Sequence, residues 1–582
     1  MQNQTKQCQS CKKDFIIETE DFVFYDKIKV PPPTFCPECR TMRRLSWRNE
    51  MTLFKRKCNA PGHDETLISI FHSETKINAV DIKYWWGDEW DPFDYGAEYD
   101  FSKPFFQQWI ELYNKIPIPA LSNSKATNSD YCNVAEESRD CYMCSGSWKI
   151  ERTLYSNRIM EVKDSSDLYV AYNSELCYEN ITCVESYHLL YSFNCKSCVN
   201  SYFLYDCIGC TDCFGCSNLR SKSYCMWNEQ LSKEEDSRRL AELDLDSHAT
   251  IQELKKKFDA LSLSAIHRFA NQIKVVNSTG DNIEGVKNAK VCFDASGQIE
   301  DCKFVHWAKL NLKDAYDSGP GVGMAELAYE IFDTGIGNFR NLFTSVVYSC
   351  SNIEYAFNCH GSSDIFGCVG IRGKKYCILN RPYEKEEYEA LLPKIKEHMQ
   401  TMPYIDKQGR KYGYGEFFPS ELSPFAYNET VAQDYFPLTK DEALKLGFVW
   451  REKELNEYQI TLPAINIPDR LKDVSDSITK EIIGCLHEGK CEDRCKKAFR
   501  ITPDELGLYK RLGVPLPRLC FGCRHDARLR KRNPMHLWNR ACMCDKAGHG
   551  HEGKCATTFE TAYAPERKEI IYCESCYQKE VM

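Results

Sequence analysis

Through the middle of the chain the apolar positions fall in short β-prone runs, HLLYSF, YFLY and VVYS, separated by polar corners of Asn, Asp and Ser with few charges. Cysteine keeps a beat inside the pattern, at 198, 207, 216 and 225 and again at 350, 359, 368 and 377, nine residues a step. Cys132 and Cys141 keep the same step. A constant step of short strands between polar corners predicts a parallel β-solenoid, nine residues being half a coil or one short coil. Thiols at equivalent steps then stack in a ladder along the interior, a place that suits a small and readily buried side chain. The stretch is duplicated: the segment ending at Glu235 matches the one ending at Glu387 at an offset of 152 residues. Cys207, Cys216 and Cys225 there meet Cys359, Cys368 and Cys377. The duplication also weighs against a metal cluster in CIGCTDCFGC. Its Cys210 and Cys213 become Ser362 and Ile365 in the second copy, and isoleucine cannot ligate.

Each copy ends in a predicted helix. SKEE at Ser232 is a capping-box pattern, and Ile251, Leu254, Phe258 and Leu261 follow at helical spacing. EKEEYEALLPKIKEHM repeats the device after the second copy. Such helices would cap the open ends, as repeat folds require. Before the first copy, residues 84–119 are dense in aromatics, and FFQQWIELYNKI reads as a short amphipathic helix. This predicts a segment that braces its neighbours, with a partner-binding surface as the alternative.

The two ends of the chain match each other. Cys11–Cys58 aligns without a gap with Cys495–Cys542 at an offset of 484, and Phe15, Tyr25, Cys36, Cys39, Arg40, Arg44 and Arg48 meet identical partners. In the first copy the CxxC pairs Cys8/Cys11 and Cys36/Cys39 offer the four tetrahedral ligands of a structural zinc ion, with no open position for catalysis. The alternating apolar residues Phe15, Ile17, Phe22 and Phe24 between the pairs predict a zinc ribbon. So small a core would draw on the order of 10 kcal/mol of folding free energy from the metal. In the second copy Cys491, Cys495, Cys520 and Cys523 repeat the set, with Cys485 or His487 as competitors. Cys573 and Cys576 form a further knuckle and predict a third, partial ribbon. Cys544 and Cys555 are its expected mates, and Cys542, His549 and His551 stand open as alternatives. An arginine stripe follows each second knuckle: Arg40, Arg43, Arg44 and Arg48, then Arg524, Arg528, Arg530 and Arg532. On a helix such a stripe can neutralise phosphates, with Trp47 or Trp538 for stacking. The alternative is a face that packs within the chain.

The expected architecture is thus multidomain and mainly β with helices, terminal zinc ribbons flanking a duplicated cysteine-rich parallel β-solenoid. Its units are a ribbon with a basic helix (1–62), the aromatic brace (63–122), the first solenoid (123–231), a helical cap (232–271), the second solenoid (272–381) and a helix (382–400). An irregular connector (401–480), ending in a short helix over Lys440–Leu446, leads to the second ribbon with its partial third (481–582).

Composition narrows the picture. The 33 cysteines, in a chain that opens on MQNQTKQCQSC without an apolar core segment, read as thiols and thiolates rather than disulfides. No run of eighteen apolar residues predicts a membrane span, and a cytoplasmic protein is expected. The net charge of −9 argues against an overall basic coat but leaves local basic patches open.

The CxxCxxxF…FY…P…CPxCR pattern resembles small proteins classed as zinc-ribbon domains. VPPPTFCPECRTMRRLSWRNE, FGCVGIRGKKYCILNRPYEKEEYE, EFFPSELSPFAYNET and YCESCYQKE make nearly the whole length similar to an uncharacterised cysteine-rich zinc-ribbon family of uncultivated bacteria with reduced genomes. The resemblance implies zinc and a bacterial cytoplasm, and no activity. Three functions stay open: a scaffold that binds RNA or a ribonucleoprotein through the arginine segments, a protein–protein scaffold, and a thiol-based redox enzyme. The last needs an exposed thiol of low pKa.

Overall fold

The structure, a computed structural model, describes residues 2–452 and 457–581. Residues 453–456 of the expected connector lie outside the described residues. The fold is mainly β with helices, and its two large sheets are built from parallel strands. The first has eight strands, from Asn123–Ser124 to Val199–Tyr202, and the second eleven, from Gln272–Ile273 to Arg381–Pro382.

In the first stack a residue pairs with the one twelve positions on: Ser145 with Asn157, Asn157 with Tyr169, Tyr169 with Ile181. The step is therefore twelve, where the cysteine beat suggested nine or eighteen. The cause lies in a finer period of three. Ile159, Val162, Ser165, Leu168, Ala171 and Ser174 are all buried. The residue before each of them, Arg158, Glu161, Asp164, Asp167, Val170 and Asn173, has φ between 48° and 59°. The chain turns a corner through the left-handed region every third residue and sends one small or branched side chain inward. Nine and twelve are both multiples of three. The nine-residue beat matches the reach of a thiol, because several inward Sγ atoms face the carbonyl nine residues on: Cys198 to Cys207 O at 3.4 Å, Cys207 to Cys216 O at 3.8 Å and Cys216 to Cys225 O at 3.3 Å. Serine and cysteine suit this interior because they bond the backbone without needing room. Ser156 Oγ bonds Leu154 O and accepts from the N–H of Leu168, one step along the stack.

The second stack starts at steps of eleven and twelve, Gln272 with Ile283 and Gly280 with Cys292, and then widens. Cys292 pairs with Val305 and Leu312 with Ala325, thirteen apart, before twelve returns at Ser351 and Ser363. The extra residue is taken up where glycine alone fits. Gly297, between the twelve-step pair Glu284–Ser296 and the thirteen-step pair Val286–Ile299, has φ +121°, and a Cβ there would lie 2.4 Å from Leu310 O. Each stack finishes in a short antiparallel pairing, Cys225–Met226 with Glu229–Gln230 and Lys375–Ile378 with Arg381–Pro382, which interrupts the parallel ladder. The helices Lys233–Ala241, His248–Ser264 and Lys385–Thr401 follow, the first capped by the Ser232 hydroxyl on the N–H of Glu235.

The aromatic segment covers the second stack. Its helix Phe105–Lys115 buries Phe105, Phe106, Trp109 and Tyr113. Phe105 lies against Phe366 at 5.2 Å and Tyr113 against Phe357 at 4.9 Å between ring centroids. Trp86 and Phe101 stay exposed. In the connector the short helix runs Lys440–Lys445.

Each terminal module touches both stacks. Its aromatic helix lies on the stack farther away in the chain: Tyr25 meets Tyr329 at 5.5 Å, and Tyr509 meets Tyr178 at 5.7 Å. A later strand of the module pairs in parallel just before the other stack begins. Asn78–Val80 joins Pro117–Pro119, and Ile570–Tyr572 joins Ile266–Arg268. The end-to-end match seen in the sequence is thus a match in docking as well.

Candidate metal centres

In the first module the strands Gln4–Gln7 and Asp14–Ile17 form a hairpin whose turn holds Cys8 and Cys11. Cys36 is the N-cap of the helix Pro37–Leu45, and Cys39 sits in its first turn. The expected ribbon of two hairpins is corrected here: one hairpin and one helix N-terminus supply the thiols. The segment between them is also a helix, Thr19–Ile28, started by reciprocal capping between Glu18 and Asp21 and ended at Lys29 with φ 59°. Its buried Phe24, Tyr25 and Ile28 lie on a helical face, which the alternation of Phe15, Ile17, Phe22 and Phe24 concealed. A helix N-terminus suits thiolates because its unpaired N–H groups carry partial positive charge.

The Sγ atoms of Cys8, Cys11, Cys36 and Cys39 lie within 4.8 Å of one another, Cys11 and Cys36 at 3.8 Å. Zinc–sulfur bonds of about 2.3 Å in a tetrahedron place sulfurs about 3.8 Å apart, so the set fits a zinc ion without rearrangement. Four thiols this close cannot all ionise unless a cation joins them. Hydrogen bonds from Cys36 and Cys39 hold the Cys8 thiol far below its ordinary value, and hydrogen bonds with Cys36 and Cys8 push Cys39 far above it.

The second module gathers Cys485, Cys495, Cys520 and Cys523. Cys520 caps the helix Phe521–Lys531 as Cys36 caps its counterpart. The sulfurs of Cys520 and Cys523 are 3.6 Å apart, and those of Cys485 and Cys523 3.9 Å. Cys485 thus takes the place expected of Cys491. The short strand Ile483–Gly484 pairs with Ala498–Phe499, which sets Cys485 opposite Lys497 and in one group with Cys495. Cys491 remains 3.8 Å from Cys523 in an overlapping group with His487 and Asp493. Only the competition between Cys485 and Cys491, visible in the sequence, signalled this exchange.

At the C-terminus Cys542, Cys555, Cys573 and Cys576 form a third group of thiols within 4.8 Å. Cys542, at the end of the strand Trp538–Ala541, occupies the position expected of Cys544. Cys544 instead joins Cys576, His549 and His551.

The arginine stripes are interior. Arg40 reaches Asp317 through Nε at 3.0 Å and Nη2 at 2.8 Å, and Arg44 reaches the other oxygen of Asp317 at 3.2 Å. Arg43 bridges Glu330 at 2.6 Å and Glu416 at 2.9 Å, and Arg48 lies between Glu50 and Asp333. The second module repeats this on the first stack, where Arg524 and Arg528 hold the two oxygens of Asp167 at 2.6 and 2.5 Å. Arg40, Arg43, Arg44, Arg48, Arg524 and Arg528 are all buried. Their guanidinium groups are already engaged by carboxylates, so the expected phosphate-binding stripe is corrected to a docking face. Arg530, exposed, pairs with Asp493, and Arg532 stacks 3.8 Å over the ring of Tyr435. Trp47 packs against Trp109 and Tyr113, out of reach of a nucleobase.

Between the stacks lies a cleft of about 430 Å³ lined by Trp85, Trp86, Trp148, Trp307, Tyr348 and His360. Leu310 and Ile336 stand exposed at its edge. Among the described residues no helix is long and apolar enough to cross a membrane. No family model matches the chain, and no curated protein is similar to it.

Proposed function

We propose that the chain is a zinc-stabilised, non-enzymatic, cytoplasmic scaffold that binds a protein partner. In this reading each parallel stack is a four-sided solenoid, twelve residues to the coil and three to the side. The twelve-residue ladder step and the corner at every third residue support it. The three cysteine groups are structural zinc sites. Their all-thiol composition leaves no open coordination position, and zinc suits tetrahedral thiolates.

The observation that carries the scaffold reading is the burial of both arginine stripes in ion pairs with Asp317 and Asp167. It gives six of the eight arginines on which RNA binding rested a structural task. A thiol redox enzyme is also disfavoured. The interior thiols, Cys132, Cys177, Cys210 and Cys292 among them, are buried, whereas a redox-active thiol has to be exposed. What remains is surface, and the tryptophan-lined cleft between the stacks is an apolar feature of it. Its size and aromatic walls suit an extended apolar segment of another protein.

The test is affinity purification of the full chain from its source cell after nuclease treatment, beside a Leu310→Glu/Ile336→Glu variant. Both substitutions fall on exposed corner residues and spare the interior. A protein recovered with the wild type and lost with the variant is the expected result. Loss of all binding on nuclease treatment, or equal recovery by both chains, overturns the reading.

A further inference from the structure

We propose that the C-terminal module holds two metal ions, not one, as a pair bridged by the thiolate of Cys576. Two donor sets meet at this residue. One is Cys542, Cys555, Cys573 and Cys576; the other is Cys544, His549, His551 and Cys576, and within each set the donor atoms lie within 4.8 Å of one another. Two four-coordinate ions that share a single thiolate need seven donor side chains, and the two sets together supply seven. The donors of the second set are two thiols and two imidazoles, a combination that zinc accepts as readily as four thiols.

The two histidines are oriented as metal ligands are. His549 turns Nδ1 toward Cys544 Sγ at 3.1 Å, while its Nε2 faces Glu580 Oε1 at 3.1 Å. His551 turns Nε2 toward Cys576 Sγ at 3.4 Å, while its Nδ1 donates to the carbonyl of Gly553 at 2.8 Å. Each ring thus has one nitrogen aimed at the thiols and the other tied to an acceptor. This arrangement fixes the tautomer and leaves a lone pair for the metal. Glu580 is itself held by Lys546.

The loop that brings these groups in is an addition to the duplicated module. In the N-terminal copy the hairpin strands Phe54–Lys57 and Thr66–Ser69 are joined by residues 58–65. In the C-terminal copy Trp538–Ala541 and Thr558–Thr561 are joined by residues 542–557, twice as many. The longer loop contains Cys544, His549, His551 and Cys555. In the N-terminal copy the strand Asn78–Val80 is followed by Asp81 and Tyr84, where the C-terminal copy has Cys573 and Cys576 after Ile570–Tyr572. The bridging cysteine and the second donor set therefore occur together in one copy only.

The full chain, expressed with zinc, is compared with its His549→Ala/His551→Ala variant by elemental analysis. The variant is expected to carry one equivalent of zinc less than the wild type. A second measurement does not depend on the variant folding. Wild-type chain loaded with cadmium-113 should show two resonances from the C-terminal module coupled to each other through the shared sulfur, and Glu580→Gln should keep both. Unchanged zinc content in the double variant, or cadmium resonances without mutual coupling, overturns the proposal. Either result leaves the scaffold reading untouched, since that reading needs only the thiol groups.

Discussion

Removing one carboxylate should loosen the module that it docks and spare the other. Asp317 is fully buried and receives three bonds from two guanidinium groups, both of them also buried. Asp317→Ala leaves Arg40 with its bond to Phe35 O alone and Arg44 with its bond to Thr41 Oγ1 at 3.2 Å and the longer contact to Glu330 at 3.4 Å. Breaking a buried pair by deleting one partner costs about 3–5 kcal/mol, chiefly because a charge stays behind in a dry site. An exposed pair in the same interface, Lys27 with Asp314, should cost no more than about 1 kcal/mol when Asp314 is replaced. Because a chain of several modules need not unfold in one step, the effect is best read locally, by hydrogen exchange of the helix Pro37–Leu45. At about 1.4 kcal/mol per tenfold, exchange there should accelerate roughly a hundred- to a few-thousand-fold in Asp317→Ala, and about fivefold or less in Asp314→Ala. The twin variant, Asp167→Ala, should do the same to the helix Phe521–Lys531 and leave Pro37–Leu45 unchanged. Exchange in Asp317→Ala no faster than in Asp314→Ala would refute the docking account. So would equal loosening of both helices by either variant.

Two further outcomes follow from the same structure. Stripping metal from the full chain with a strong chelator at neutral pH should abolish exchange protection over Pro37–Leu45 and Phe521–Lys531, since bound zinc supplies on the order of 10 kcal/mol to modules of this kind; the interior of the stacks, at Ile159 or Ile353, should stay protected, and full protection of both helices in the metal-free chain would contradict the thiol groups as metal sites. Gly297→Ala should lower the thermal midpoint of the second stack by the equivalent of about 1–3 kcal/mol, because φ +121° is closed to alanine and its Cβ would meet Leu310 O; a midpoint equal to that of the wild type in calorimetry would show that the wide step does not depend on that glycine.

The sequence displayed what is local and concealed what is distant. The CxxC pairs were legible because covalent spacing alone brings Cys36 and Cys39 to one site. Cys485 was legible only as a competitor of Cys491, because the strand pairing that brings it into the group involves only two residues on each side. The beat of nine was real but ambiguous. The true period is three, and it is carried by burial at positions that cysteine, serine, alanine and leucine share, so that cysteine alone samples it sparsely. The helix Thr19–Ile28 carried its signal in the Glu18/Asp21 capping pair and in Phe24, Tyr25 and Ile28, which recur at helical spacing. The arginine stripes stood out, yet their partners are 277 residues from Arg40 and 357 from Arg524. Nothing in the neighbourhood of either stripe distinguishes a guanidinium that meets phosphate from one that meets a buried aspartate.

The same long-range pairing explains why the two stacks can act as one body. Arg48 and Glu50 sit where the first module crosses from one stack to the other. Arg48 contacts Asp333 of the second stack, and Glu50 accepts from Asn157 and lies 3.6 Å from Arg158, both of the first. The second module bridges the stacks at the matching place: Arg532, the counterpart of Arg48, reaches the hydroxyl of Tyr169 in the first stack at 3.3 Å, and Asn533, the counterpart of Asn49, donates to Asp281 of the second at 3.0 Å. Burial pushes the Glu50 carboxyl up, and Arg158 and Arg48 more than reverse that, so it stays charged well below neutral pH. A junction of this kind resists sliding. Shifting one stack against the other would separate these charges inside the protein, where an unpaired ion costs several kcal/mol. The cleft between the stacks is therefore held to a fixed width by both ends of the chain at once. Metal held at the cysteine groups, as proposed, would thereby also set the geometry of the surface proposed for the partner.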